Sequence, residues 1–215
     1  MTDRELFAHV DHTLLKADAR KEDIKRICEE AMEYSTASIC INPGFIDYAA
    51  EILKGRIPIC TVIGFPLGAM TTESKVFEAK DAIRRGASEV DMVINISKAK
   101  DHDFEYVENE IRLIKEAVGD HILKVIIETC LLTDEEKIRL CGCVVRAGAD
   151  YIKTSTGFST GGATFHDVEL FNEHCKGGCR IKAAGGIRTR EDMEKFIRLG
   201  ADRLGTSSAV RILKG

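Results

Sequence analysis

The stretch "RAGADYIKTS", Arg146 to Ser155, closes one element and opens another. Gly148 stands where a helix C-terminal glycine belongs. From Tyr151 the chain turns extended and apolar, yet Lys153 sits inside that run. The same device occurs twice more, in "RRGASEVDMVI" from Arg84 and "RLGADRLGTS" from Arg198. Counting five residues on from each glycine gives Asp91, Lys153 and Gly205. A repeated helix–turn–strand unit therefore presents different chemistry at equivalent depth on different strands.

Working outward, strand-like runs alternate with amphipathic segments along the whole chain. The runs are "HVDHTLL", "ASICIN", "PICTVIGF", "EVDMVIN", "LKVIIET", "DYIKTST", "RIKAAGG" and "DRLGTSS". Several are continuously apolar and rich in Val and Ile, which suits parallel strands covered on both faces. Their spacing matches the ~30 residues of a βαβ unit. Thr133 to Glu136 reads as a capping box opening a helix with Ile138, Cys141, Val144 and Val145 on one face. Thr189 opens another, with Met193, Phe196 and Ile197 behind it. Eight alternations with no linker or low-complexity segment predict an α/β fold, a single (β/α)8 TIM-barrel domain over residues 1–215.

The 44% hydrophobic and 31% charged residues are those of an ordinary globular chain. A net charge of -4 excludes a general electrostatic partner such as nucleic acid or an anionic membrane. The N-terminal "MTDRELFAHVDHTLLK" has no apolar signal core, and "IPICTVIGFPLGAM" is too short to span a bilayer, so a cytoplasmic protein is expected. The eight cysteines lie mostly in apolar patterns and read as buried reduced thiols. "CKGGC" lacks partner ligands at zinc spacing. No metal and no cofactor are expected.

In a barrel of this class the catalytic groups come from strand interiors and C-terminal ends and face one mouth. Lys153, Lys182 and Asp91 fit that placement on the sixth, seventh and fourth strands. Glu128 and Thr129 are placed at the end of the fifth, and Asp11, His12 and Thr13 on the first. A lone strand lysine is more often a snorkelling or ion-paired residue. Two on adjacent strands repel, and burial penalises their charge further; both effects lower an amine pKa, by ~3–5 units at the extreme. A neutral amine is what attack on a carbonyl requires, so the constellation points to Schiff-base chemistry, with the carboxylate moving protons. The glycine-rich loops "TGFSTGG", "GGIRT" and "GTSSAV" let backbone N–H groups approach an anion, and loops after the seventh and eighth strands are the recurrent barrel phosphate site. No P-loop is present.

Read together and in order, "VDHTLL", "SICINP", "TVIGFPLG", "EVDMVIN", "LKVIIET", "AGADYIKTSTGF", "IKAAGGIRT" and "GTSS" resemble the deoxyribose-phosphate aldolases. The resemblance implies a class I aldolase that reversibly splits 2-deoxy-D-ribose 5-phosphate into acetaldehyde and D-glyceraldehyde 3-phosphate, in deoxyribonucleotide catabolism. It implies Lys153 as the Schiff-base lysine, Lys182 as the lysine that tunes it, and Asp91 as the acid–base carboxylate acting through water. It sets Asp11, Thr13 and Thr156 near the sugar hydroxyls and Cys40 at a wall of the reaction centre. Gly157, Gly185, Gly186, Ser207 and Ser208 match the phosphate pocket.

Some members carry a phosphate-reaching lysine after "TSTG", where this chain has Phe158, so neutral donors are expected to hold most of the phosphate here. Small-molecule phosphosugar and aldehyde substrates are the implied partners, and a homo-oligomer, dimer or tetramer, is the implied assembly. A different Schiff-base or transaldolase-like phosphosugar enzyme, a non-catalytic phosphosugar sensor and a zinc-dependent aldolase are the alternatives.

Overall fold

Residues 1–215 are described by a computed structural model, in which eight parallel strands hydrogen-bond in sequence order until the eighth meets the first. The strands are β1 Val10–Leu14, β2 Ser38–Ile41, β3 Ile59–Ile63, β4 Glu89–Val93, β5 Ile122–Ile126, β6 Tyr151–Lys153, β7 Arg180–Ala184 and β8 Arg203–Thr206. The helices are α1 Asp3–Phe7, α2 Lys21–Tyr34, α3 Ile46–Leu53, α4 Thr72–Arg85, α5 Ile96–Lys100, α6 Phe104–Val118, α7 Asp134–Arg146, α8 Phe165–Cys175, α9 Arg190–Arg198 and α10 Ala209–Lys214. All eight runs read from sequence are strands, and the (β/α)8 barrel is the architecture found.

Helix ends follow local chemistry. The Thr133 hydroxyl accepts from the Glu136 N–H at 3.3 Å, and the Glu136 carboxylate accepts from the Thr133 N–H at 2.7 Å. Thr189 and Asp192 form the same reciprocal box at the start of α9. Each box satisfies two otherwise orphaned donors. The buried face of α7 is Lys137, Leu140, Cys141 and Val144; Ile138 faces solvent at 37% exposure, one step round from the face expected.

Side-chain alternation along the strands builds two different interiors. One parity, including Ile39, Ile41, Val90, Met92, Leu123, Val125, Ile152, Ile181 and Leu204, joins helix residues in an apolar layer of 49 buried residues. Full burial of each such side chain is worth about 1.5–3 kcal/mol. The other parity points into the barrel and carries charge: Asp11, Glu89, Asp91, Lys124, Lys153, Lys182 and Arg203, none more than 8% exposed. Branched apolar side chains usually fill a barrel centre. Here hydrogen-bonded ions do.

Gly205 shows how closely this interior is packed. It pairs with Ala184 across β7 and β8. A Cβ at Gly205 would fall 2.9 Å from the Ala184 Cβ and 3.1 Å from the Lys182 Cε. The repeat that offers Asp91 and Lys153 at this depth thus offers a void on β8, and the Lys182 stem passes beside it.

The fifth strand ends earlier than the sequence pattern suggests. β5 stops at Ile126, Glu128 adopts φ 56, and Thr129–Leu131 form a short 3-10 turn. The buried Glu128 carboxylate explains the departure. It accepts from the Thr156 N–H at 3.2 Å and the Thr156 hydroxyl at 2.5 Å, pulling the chain toward the loop after β6.

Candidate active site

Parallel pairing sets Lys153 directly beside Lys182, and Asp91 beside Lys124. Barrel closure then brings Asp11 of β1 against Lys182 of β7. The Lys153 and Lys182 amines each lie 2.7 Å from Asp91 Oδ2. Asp91 Oδ1 accepts from Lys124 at 2.9 Å and from the Cys60 thiol at 3.1 Å. Lys124 also reaches Glu89 at 2.6 Å and Asp11 at 3.6 Å. Arg203 closes the network, bonding Asp11 and, at 3.1 Å, Glu89. Ser38 donates to Asp11 at 2.7 Å.

The electrostatics follow from this geometry. Burial would raise the Asp91 carboxyl, but Lys124, Lys153 and Lys182 hold it well below the usual carboxylate range. Burial opposes ionisation of Asp11 too, and Lys182, Lys124 and Arg203 override it. Burial disfavours the Lys182 ammonium, yet Asp11 and Asp91 raise its pKa above that of an ordinary lysine. Lys124 is raised in the same way by Asp91, Cys60, Asp11 and Glu89. Sequence reasoning pictured two mutually repelling lysines; the structure inserts a shared carboxylate between them, and Lys182 is firmly held as a cation.

Above this network opens a cavity of about 550 Å³. Of the three lysines in this network, Lys153 alone lines it. Thr13, Thr156, Gly157, Gly185, Gly186, Ser207 and Ser208 line it as well. Asp11, Cys40, Asp91 and Lys182 do not; they lie fully buried behind it. Cys40 pairs with Cys60 across β2 and β3.

Three cations join the neutral donors expected from these loops. Lys16, Arg188 and Arg211 line the cavity, and no carboxylate does. Phe158 is 54% exposed and meets Phe65 edge-on, ring centres 5.2 Å apart. The positive charge comes instead from the loops after β1 and β7 and from α10. Lys16 and Arg188 were legible in principle, since residues just after barrel strands face the mouth. Arg211 lies on a helix and carried no such signal.

Two groups of side chains have metal-ligand proximity, Cys40 with Cys60 and Asp91, and Asp11 with Cys60 and Glu89. The Lys124 ammonium already contacts Asp11, Cys60, Glu89 and Asp91, so a cation of the protein's own balances these donors. Sequence reading also passed over Lys124, Glu89 and Arg203, which lie deeper in the site. Their only signal was parity: each shares the inward side of its strand with a candidate or faces one.

A family model described as DeoC/LacD family aldolase matches residues 6–209. The chain is 58% identical over 205 residues to a deoxyribose-phosphate aldolase of Clostridioides difficile, covering 95% of this chain and 94% of that one. It is 57% identical over 215 residues to the corresponding aldolase of Clostridium botulinum, covering 100% of this chain and 97% of that one. Among solved structures, the tetrameric deoxyribose phosphate aldolase of Aeropyrum pernix superposes with a TM-score of 0.89 at 35% identity, covering 99% of this chain and 91% of that one.

Proposed function

The chain belongs to the DeoC/LacD aldolase family, and from that premise we propose that it reversibly cleaves 2-deoxy-D-ribose 5-phosphate to acetaldehyde and D-glyceraldehyde 3-phosphate through an imine on Lys153. The observation that carries the site assignment is the cavity itself. Its wall has four cationic residues and no carboxylate, and Lys153 is the one buried lysine that reaches it.

In this reading the neutral Lys153 amine attacks the C1 aldehyde of the open-chain sugar, and loss of water gives the iminium. Asp91, 2.7 Å from the Lys153 amine and held ionised, takes the C3 hydroxyl proton through a water. The C2–C3 electron pair moves into the iminium, leaving an enamine and releasing glyceraldehyde 3-phosphate. Protonation at C2 and hydrolysis then return acetaldehyde and the free amine. The Lys182 ammonium shares Asp91 Oδ2 with the reacting nitrogen and tunes it by its charge. Thr13 and Thr156 face the sugar. Lys16, Arg188 and Arg211, with the Gly185–Gly186 and Ser207–Ser208 turns, hold the phosphate dianion.

Hydride reduction in the presence of acetaldehyde tests the assignment. An N-ethyl group should appear on the Lys153 peptide; an adduct on Lys182 or Lys124 overturns it.

The tetramer described for the Aeropyrum pernix protein suggests a homo-oligomer here, dimer or tetramer. Leu67 and Phe77, each 72% exposed, are apolar surface that such an assembly would cover. Light scattering would decide it. No helix is long and apolar enough to cross a membrane. We place the enzyme in the cytoplasm, in deoxyribonucleotide catabolism, where its substrate class arises.

A further inference from the structure

The barrel interior holds more positive than negative charge. Three carboxylates, Asp11, Glu89 and Asp91, face four cations, Lys124, Lys153, Lys182 and Arg203. Remove the charge of Lys153 and the network is neutral. It also stays closed. Asp91 keeps Lys124 and Lys182, Asp11 keeps Lys182, Lys124 and Arg203, and Glu89 keeps Lys124 and Arg203. Lys153 has one carboxylate partner, through an oxygen it shares with Lys182. A surplus buried charge costs more than one whose partners balance it. Lys153 is therefore the least tightly paired cation of the network.

From this count we propose that Lys124 and Glu89 are positioning residues for the reaction: they touch no substrate, and by fixing the charge balance beneath Lys153 they set the pH range in which its imine forms. The inference rests on the Schiff-base reading above.

The groups around Lys153 come from most of the barrel. They are Asp11 on β1, Cys40 on β2, Cys60 on β3, Glu89 and Asp91 on β4, Lys124 on β5, Lys182 on β7 and Arg203 on β8. Beyond β5, Glu128 is spent on Thr156. The cavity adds Lys16, Arg188 and Arg211, all cationic. Cys60 is already engaged by Asp91 and Lys124. Lys124 and Glu89 lie one layer below the reacting amine and are absent from the cavity wall, so their charges can be changed without touching the substrate.

The test is imine trapping on Lys153 with acetaldehyde and cyanoborohydride as a function of pH, read by peptide mass. Glu89→Gln removes a negative charge and enlarges the surplus. The acid limb of the trapping profile should move down, by roughly one to two pH units for charges at such separations. Lys124→Met removes a positive charge and abolishes the surplus, so the limb should move up by a similar amount. The double variant Glu89→Gln/Lys124→Met restores the count and should return the profile toward that of the parent protein. A purely structural role for these residues predicts loss of adduct in all three, with no displacement of opposite sign and no restoration. Should Lys124→Met not fold, the near-isosteric Glu89→Gln decides alone: an unmoved or upward-shifted limb in folded protein overturns the proposal. If the parent protein shows no adduct on Lys153 at any pH, the functional reading has failed instead, which the same experiment separates.

Discussion

Replacing Gly205 by alanine tests whether β8 is kept bare so that Lys182 can pass. The new methyl would lie 2.9 Å from the Ala184 Cβ and 3.1 Å from the Lys182 Cε. Carbon atoms prefer about 3.5–4.0 Å, so something must move by roughly 0.5 Å. Ala184 is fixed to the paired strand and cannot swing aside. The Lys182 amine is tied to Asp11 and Asp91, so its stem has little slack. Overpacking of this kind costs about 1–3 kcal/mol. For a domain of this length each kcal/mol is worth about 2–4 °C, so Tm should fall by roughly 2–12 °C. Turnover should drop further than stability. A misplacement of about 1 Å near the chemistry can cost 10²-fold, so a displacement half that size should cost roughly tenfold. Thermal unfolding and the rate of deoxyribose 5-phosphate cleavage measure the two effects. Adding Ala184→Gly removes the methyl–methyl clash but leaves the contact with Lys182. That double variant should regain stability and stay slow. If Gly205→Ala keeps both Tm and rate, the interior has slack and the argument for a reserved void is refuted.

Lys153→Ala should abolish both adduct and turnover, whereas Lys182→Leu should still form some imine but only at higher pH; an unchanged pH profile in the latter would remove the electrostatic role of Lys182. Lys16→Met and Arg211→Met should each raise KM for deoxyribose 5-phosphate roughly 10- to 100-fold, the range of a charge-assisted hydrogen bond, while changing turnover of unphosphorylated deoxyribose little. Equal losses on both substrates would place the phosphate elsewhere. Asp11 and Asp91 have depressed carboxyl pKa values, so their stabilisation is present above the unfolded value of about 3.8 and is lost as pH falls below it toward the folded values. Urea unfolding should therefore show stability falling steadily from about pH 4 downward, and a flat profile there would contradict the buried network. Activity should survive exhaustive chelation, because the lysine imine is the electron sink; loss with rescue by zinc would sink the class I assignment.

Local sequence determined the strands and much of the site's raw material. Parallel strands buried on both faces must read as apolar runs, and their period fixes the βαβ repeat, so eight strands were legible without any contact being known. The glycine-anchored repeat put Asp91 and Lys153 at one depth because a strand's rise per residue is nearly constant. What the sequence could not convey is which charges meet. Lys182 and Asp11 are 171 residues apart and touch only because β8 closes on β1. Lys124, in "LKVIIET", looks like an ordinary lysine at a strand entrance until pairing with β4 brings Glu89 and Asp91 to it and closure adds Asp11. Arg211 reaches the mouth because α10 packs there, not because of any local pattern. Strand formation depends on neighbours along the chain and is written locally. The charge on a buried amine depends on every group within a few ångströms, and strand pairing together with barrel closure assembles that set.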